Sequence, residues 1–215
     1  VKKQTVLAVS AVVAMVSLGG AGARAGSHLW YIHEVFTSTD GSVQFLELHC
    51  PPGADFEYGV DGLNVTSLAT GGDFTISGLN LAPPTGDRYL LFATARFAEL
   101  PGAPAPDFII PPSTVPFIGV NVDETLTYFP AGQYDTFYFA AGQLPVDGLL
   151  SLSRDLTTGV NSPTNFAGET GSVDAGPKPV PSASVRGLAA IAVLMTLAGA
   201  VLVARRRGRL TARPA

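Results

Sequence analysis

Residues 187–204, GLAAIAVLMTLAGAVLVA, carry no charged side chain, and Arg205, Arg206, Arg207 and Arg209 follow at once. As a helix the run would be about 27 Å long, close to the hydrocarbon thickness of a bilayer. It is apolar on every face rather than along one stripe, the pattern of a helix surrounded by lipid. An arginine at mid-membrane costs roughly 2.5–3.5 kcal/mol on insertion scales, so the arginines mark where a span must stop. The reading is one transmembrane helix, 187–204, with membrane lipid as its partner and an Arg-rich cytoplasmic tail, 205–215. Everything before it has to fold without help from that segment.

The other end agrees. Residues 1–25 start with Lys2 and Lys3, continue through a short apolar stretch, and end in Ala23-Arg24-Ala25. A positive start, an apolar middle and a small-x-small end form the pattern of a signal peptide, with Ala23 and Ala25 marking the cleavage site. The leader sends the chain out and the arginines hold its end in. The expected product is an exported, single-pass inner-membrane protein with its domain outside.

That domain is expected over 26–170, with a flexible Gly/Ser/Pro-rich spacer over 171–186. Its charge is one-sided. All 17 Asp and Glu lie between Glu34 and Asp174, against three cations in the same span, Arg88, Arg96 and Arg154, a net of about −14 for residues 34–174. Phosphate contacts need a basic surface, so nucleic acid is excluded as a partner. The single cysteine, Cys50, cannot close an internal disulfide, and its place at the end of an apolar run predicts a buried thiol.

Short apolar runs of period two recur, broken by Gly, Pro, Asp and Asn. Residues 29–36 and 43–50 flank TSTDGS and predict a hairpin with Asp40-Gly41 at its turn. Further strands are expected at 62–68, 73–79, 88–94, 124–129, 135–140 and 149–154, one helical turn or two at 94–100, and proline loops at 101–106 and 111–116. The polar segment 154–168 reads as a binding loop or a strand closing a sheet edge. The fold class is all-β, a sandwich, with a barrel as the alternative. Trp30, Phe36, Phe45, Phe74, Phe92, Phe137 and Phe139 are the expected core aromatics. Tyr128, Tyr134 and Tyr138 are assigned to a surface patch.

Chemistry is sparse. His33-Glu34 opens like a zincin motif, but Thr37 stands where the second histidine belongs. On paired strands His33 and His49 could face one another; satisfied or solvent-facing rings are the commoner outcome, and no metal or other cofactor is assigned. No P-loop, no Cys-x-x-Cys and no nucleophile elbow occurs, and no catalytic residue is assigned.

Two stretches resemble known families. Pro179-Val180-Pro181-Ser182, then the apolar run and the arginines, resemble a PEP-CTERM-type sorting signal. Val180, Pro181, Ser182, Ser184 and Gly187 fit the spacing of its IPTL-CTERM form, with Ala183 in place of leucine and Arg186 in place of tryptophan. The resemblance implies recognition of the tail by a membrane-embedded exosortase-type enzyme in an exopolysaccharide-producing bacterium, and delivery to the outer surface or extracellular matrix. Glu34-Val35 and Phe45-Leu46-Glu47-Leu48 are similar to the opening of a lamin-tail-type immunoglobulin-like domain. That implies an immunoglobulin-like β-sandwich used for binding. The expectation is a non-enzymatic surface or matrix protein, structural or adhesive, in contact with exopolysaccharide. The alternatives are a surface hydrolase acting on polysaccharide or peptide, and a plain membrane-anchored protein that nothing processes.

Overall fold

The computed structural model describes residues 26–176 apart from Pro130. The signal segment 1–25, the sorting motif, the run 187–204 and the arginines after it lie outside the described residues. No helix among the described residues is long and apolar enough to cross a membrane.

Ten strands form two sheets. In chain order they are β1 (Tyr31–Thr37), β2 (Gln44–His49), β3 (Asn64–Ser67), β4 (Asp73–Thr75), β5 (Tyr89–Ala93), β6 (Phe108–Ile109), β7 (Glu124–Tyr128), β8 (Asp135–Phe139), β9 (Leu150–Ser153) and β10 (Thr158–Val160). A one-turn helix, α1 (Ala95–Ala98), follows β5. One sheet runs β10-β9-β1-β2-β5-β6 and the other β4-β3-β7-β8. All pairings are antiparallel except β5 with β6. The described residues are therefore mainly β, as their period-two runs predict.

The first hairpin forms where the sequence places it, with Thr37 opposite Gln44. In its loop, Asp40 Oδ1 accepts hydrogen bonds from Ser38 Oγ (2.7 Å), Ser42 N (3.0 Å) and Ser42 Oγ (2.7 Å). Gly41 has φ +69°, and a Cβ there would meet Pro116 Cβ at 2.8 Å, so glycine is needed for both conformation and space.

One core takes side chains from both sheets. Ile32, Val35, Leu46, Leu48, Phe92 and Leu152 come from the six-stranded sheet; Val65, Phe74, Leu126, Phe137 and Phe139 come from the other. Each such burial contributes about 1.5–3 kcal/mol relative to exposure. All seven expected core aromatics are buried, and Cys50 is a buried free thiol. Tyr128 corrects the surface assignment. It is fully buried in this core and donates its hydroxyl to Ser27 O at 3.0 Å. A buried tyrosine needs only that one partner for its polar tip. Tyr134 is partly buried against the same core, and Tyr138 alone of the three is exposed.

The outer face of β1, β2 and β5 is also covered. Phe36, Phe45, Leu91, Ala93, Phe97 of α1 and Val173 make a second apolar cluster. Val173 belongs to a strap, residues 161–175, that crosses this face. Asn161 holds it: Nδ2 donates to Leu149 O (2.6 Å) and Val173 O (2.8 Å), and Oδ1 accepts from Val173 N (2.8 Å). Ala175 N donates to Gly148 O. The packed domain thus runs past residue 170, and residues 171–176 are part of it rather than of a spacer. Within the polar segment, 158–160 pairs as the edge strand β10 and the following residues begin the strap. Between the two proline loops, β6 adds the opposite edge.

Candidate functional site

β1 contains an irregularity that creates the site. Ile32 pairs with Leu48, but the next pair is Glu34 with Glu47, so His33 is an extra residue in the strand. Regular alternation would put positions 32 and 35 on opposite faces. Ile32 and Val35 both lie in the inner core. A bulge at His33 reconciles them and turns both His33 and Glu34 outward. There they meet the outward residues of β2, Glu47 and His49, and Tyr89 of β5, which pairs with His49.

Glu34 and Glu47 are 2% and 1% exposed. The strap supplies their hydrogen bonds. Ser162 N and Ser162 Oγ donate to Glu34 Oε1 and Oε2, both at 3.0 Å. Thr164 N donates to Glu47 Oε2 at 2.6 Å. His33 Nδ1 lies 2.9 Å from Glu47 Oε1. Burial pushes the Glu47 carboxyl up to about 7; the Glu34 charge adds to this, while His33 and the Thr164 N–H oppose it. His33 moves up as well, chiefly through its hydrogen bond to Glu47, against the opposing effect of its own burial. Sharing one 2.9 Å contact, the two groups titrate as a coupled pair.

His49 sits beside them with different partners. Its Nδ1 is 2.7 Å from the Tyr31 hydroxyl and its Nε2 is 3.2 Å from Asp87 Oδ1. With Asp87 ionised, Nε2–H donates to Asp87 and Nδ1 accepts from Tyr31. Burial lowers the His49 pKa. Its ring stacks on Tyr89, with centroids 4.4 Å apart, and its centroid is 5.6 Å from that of His33. His33 and His49 thus lie side by side, and both rings are satisfied by hydrogen bonds, the commoner of the two outcomes weighed from the sequence. Each takes its own carboxylate and they do not share one.

An open cavity of ≈ 400 Å3 adjoins His33, lined also by Tyr31, Ser153, Arg154, Asp155 and Thr157. Arg154 N donates to His33 O at 2.8 Å. Its guanidinium is turned away to Asp135 on β8. The site thus combines a half-buried imidazole, two buried carboxylates and an open approach from one side. Such a set can exchange protons or hold a cation.

The residues assigned from sequence to cleavage, sorting and membrane stop — Ala23, Ala25, Val180, Pro181, Ser182, Ser184, Gly187, Arg205, Arg206, Arg207 and Arg209 — all lie outside the described residues. In the sequence Glu47 figures only in a strand motif, and Glu34 in a strand motif and in the incomplete zincin pattern His33-Glu34. The signal for their role was the spacing Ile32-His33-Glu34-Val35, in which two apolar residues three apart cannot share a face of a regular strand. Compared with known protein families, with curated proteins and with solved structures, the chain matches none.

Proposed function

We propose that this chain is an exported bacterial surface or extracellular-matrix protein, a structural or adhesive binding module that an exosortase-type enzyme sorts through the C-terminal tail. The observation that carries the reading is the order of signals at the end of the sequence. A proline-held motif at 180–184, a charge-free run and an arginine cluster follow one acidic β domain. Proline at 179 and 181 disfavours helix in that stretch, and an extended backbone is the form that enters an enzyme cleft. The finer fold we infer is an immunoglobulin-like β-sandwich, two sheets over one core, which suits display of a binding face.

The carboxylates of the domain favour binding over hydrolysis. A glycosidase-type mechanism needs two carboxyl groups reaching into a cleft. Glu34 and Glu47 are instead buried, and three of their four oxygens accept hydrogen bonds from Ser162 and Thr164 of the strap. The partner that suits an exported acidic module is exopolysaccharide of the same cell, approached by way of the polar cavity beside His33.

The test is mass spectrometry of the protein from its own host. Maturation should remove residues 1–25 and cut within or just after 180–187. Deleting 205–209 should leave a larger, membrane-retained product. An unchanged mature mass and location after that deletion would defeat the sorting reading. Failure of the mature protein to co-purify with any matrix polysaccharide would defeat the adhesive one.

A further inference from the structure

Glu34 and Glu47 stand opposite one another on paired strands, both out of reach of bulk water, with one imidazole beside them. The guanidinium of Arg154, whose backbone bonds to His33, is committed to Asp135. Among the described residues the only ion pair reaching either carboxylate comes from His33. A site with two buried acids and one base calls for a further positive charge whenever both acids are ionised.

We propose that His33, Glu34 and Glu47 form a binding site for one divalent transition-type cation of the Zn2+ class. One ligand atom from each lies within 4.8 Å of the other two. The donor set identifies the class. Imidazole with carboxylates suits zinc and its neighbours, whereas calcium and magnesium prefer oxygen alone. Ligands of one tetrahedral zinc, at roughly 2.0–2.2 Å from the metal, sit about 3.3 Å from each other. The 2.9 Å separation of His33 Nδ1 and Glu47 Oε1 is a few tenths short of that. The metal takes the place of the proton between them, and that proton leaves to solvent.

Two further features make this a built site. Ligating carboxylates are normally oriented by hydrogen bonds from behind. Ser162 N, Ser162 Oγ and Thr164 N supply those bonds to three of the four oxygens. An imidazole also needs a fixed origin, and the bulge at His33, with its carbonyl held by Arg154 N, gives one. The cavity beside His33 is the way in. Three protein ligands leave one position of a tetrahedral ion for water or a ligand group. The assignment concerns the domain alone and stands or falls separately from the sorting of the tail.

The experiment is calorimetric titration of Zn2+ into the chelator-stripped full chain in detergent micelles, with millimolar Ca2+ present to occupy exposed carboxylates. One Zn2+ per chain is expected. His33→Ala and Glu47→Gln, each checked for folding by circular dichroism, should weaken binding about tenfold or more. Absence of uptake by the unaltered chain, or unchanged affinity in both variants, overturns the site. Should a variant not fold, Co2+ added to the unaltered chain decides. An intense visible spectrum of low-coordinate Co2+ supports the site, and the pale spectrum of the hydrated ion overturns it.

Discussion

Arg154 places both terminal guanidinium nitrogens on the carboxylate of Asp135, Nη1 2.6 Å from Oδ2 and Nη2 2.7 Å from Oδ1. Arg154 follows β9 and Asp135 opens β8, so the pair ties the six-stranded sheet to the four-stranded one. Asp135 Oδ2 also accepts the N–H of Ile32 at 2.8 Å. The guanidinium lies 5.4 Å from the ring centroid of Phe137. The two partners differ in burial. Asp135→Ala leaves the Ile32 N–H unpartnered but lets the partly exposed guanidinium turn to water; Arg154→Ala leaves the buried Asp135 carboxylate without its cation, and each should cost about 2–3 kcal/mol. Urea denaturation of the two variants should show both losses. Arg154→Lys should not recover the loss, because an ammonium cannot make the paired contact.

Asp40 predicts a pH effect with a definite sign. Hydrogen bonds from Ser38 and Ser42, with Arg96 nearby, hold its carboxyl down at about 2. A carboxyl with a depressed folded-state pKa adds stability above its unfolded value, near 4, and loses it as pH falls toward 2. The side chain is largely exposed, so solvent screening limits the effect to about 1 kcal/mol. Asp40→Asn should lie below the unaltered chain in stability at pH 6 and converge with it near pH 2.

Cys50 should be chemically silent while the domain is folded. Burial raises its thiol to about 11. The thiolate fraction at pH 8 then falls about a hundredfold below that of a free cysteine, before restricted access is counted. Alkylation by iodoacetamide at pH 8 should be slow for the native chain and prompt in denaturant. Equal rates would mean that the thiol is not buried.

The strap makes the domain boundary measurable. A chain stopped after residue 170 loses Val173 from the cluster with Phe36, Phe45 and Phe97, and strips Asn161 of two partners. We expect it to be less stable than a chain stopped after 176 by about 3–5 kcal/mol. Asn161→Ala in the longer chain should cost about half as much. Thermal or urea unfolding of the three species tests both statements.

The contrast between what was readable and what was not follows from these particulars. The hairpin of β1 and β2 announces itself by alternation and by Asp40-Gly41, both properties of neighbouring residues. The Phe and Trp core was readable because a large apolar side chain has few other places to go. Tyr128 was not, since its burial depends on a carbonyl of Ser27, 101 positions away. The end of the strap, from residue 171, reads as spacer in the sequence for the same reason. Its order comes from Glu34, Glu47 and Asn161 bonding to its backbone and not from any apolar period of its own. The site needed the bulge, whose trace in the sequence is a single broken alternation at Ile32 and Val35.

That bulge has an evolutionary corollary. Counting through β1 without His33, every other side chain already points to its proper side, so one codon could be gained or dropped there with the strand still in phase. The domain can thus acquire or discard its imidazole in one step while keeping its architecture.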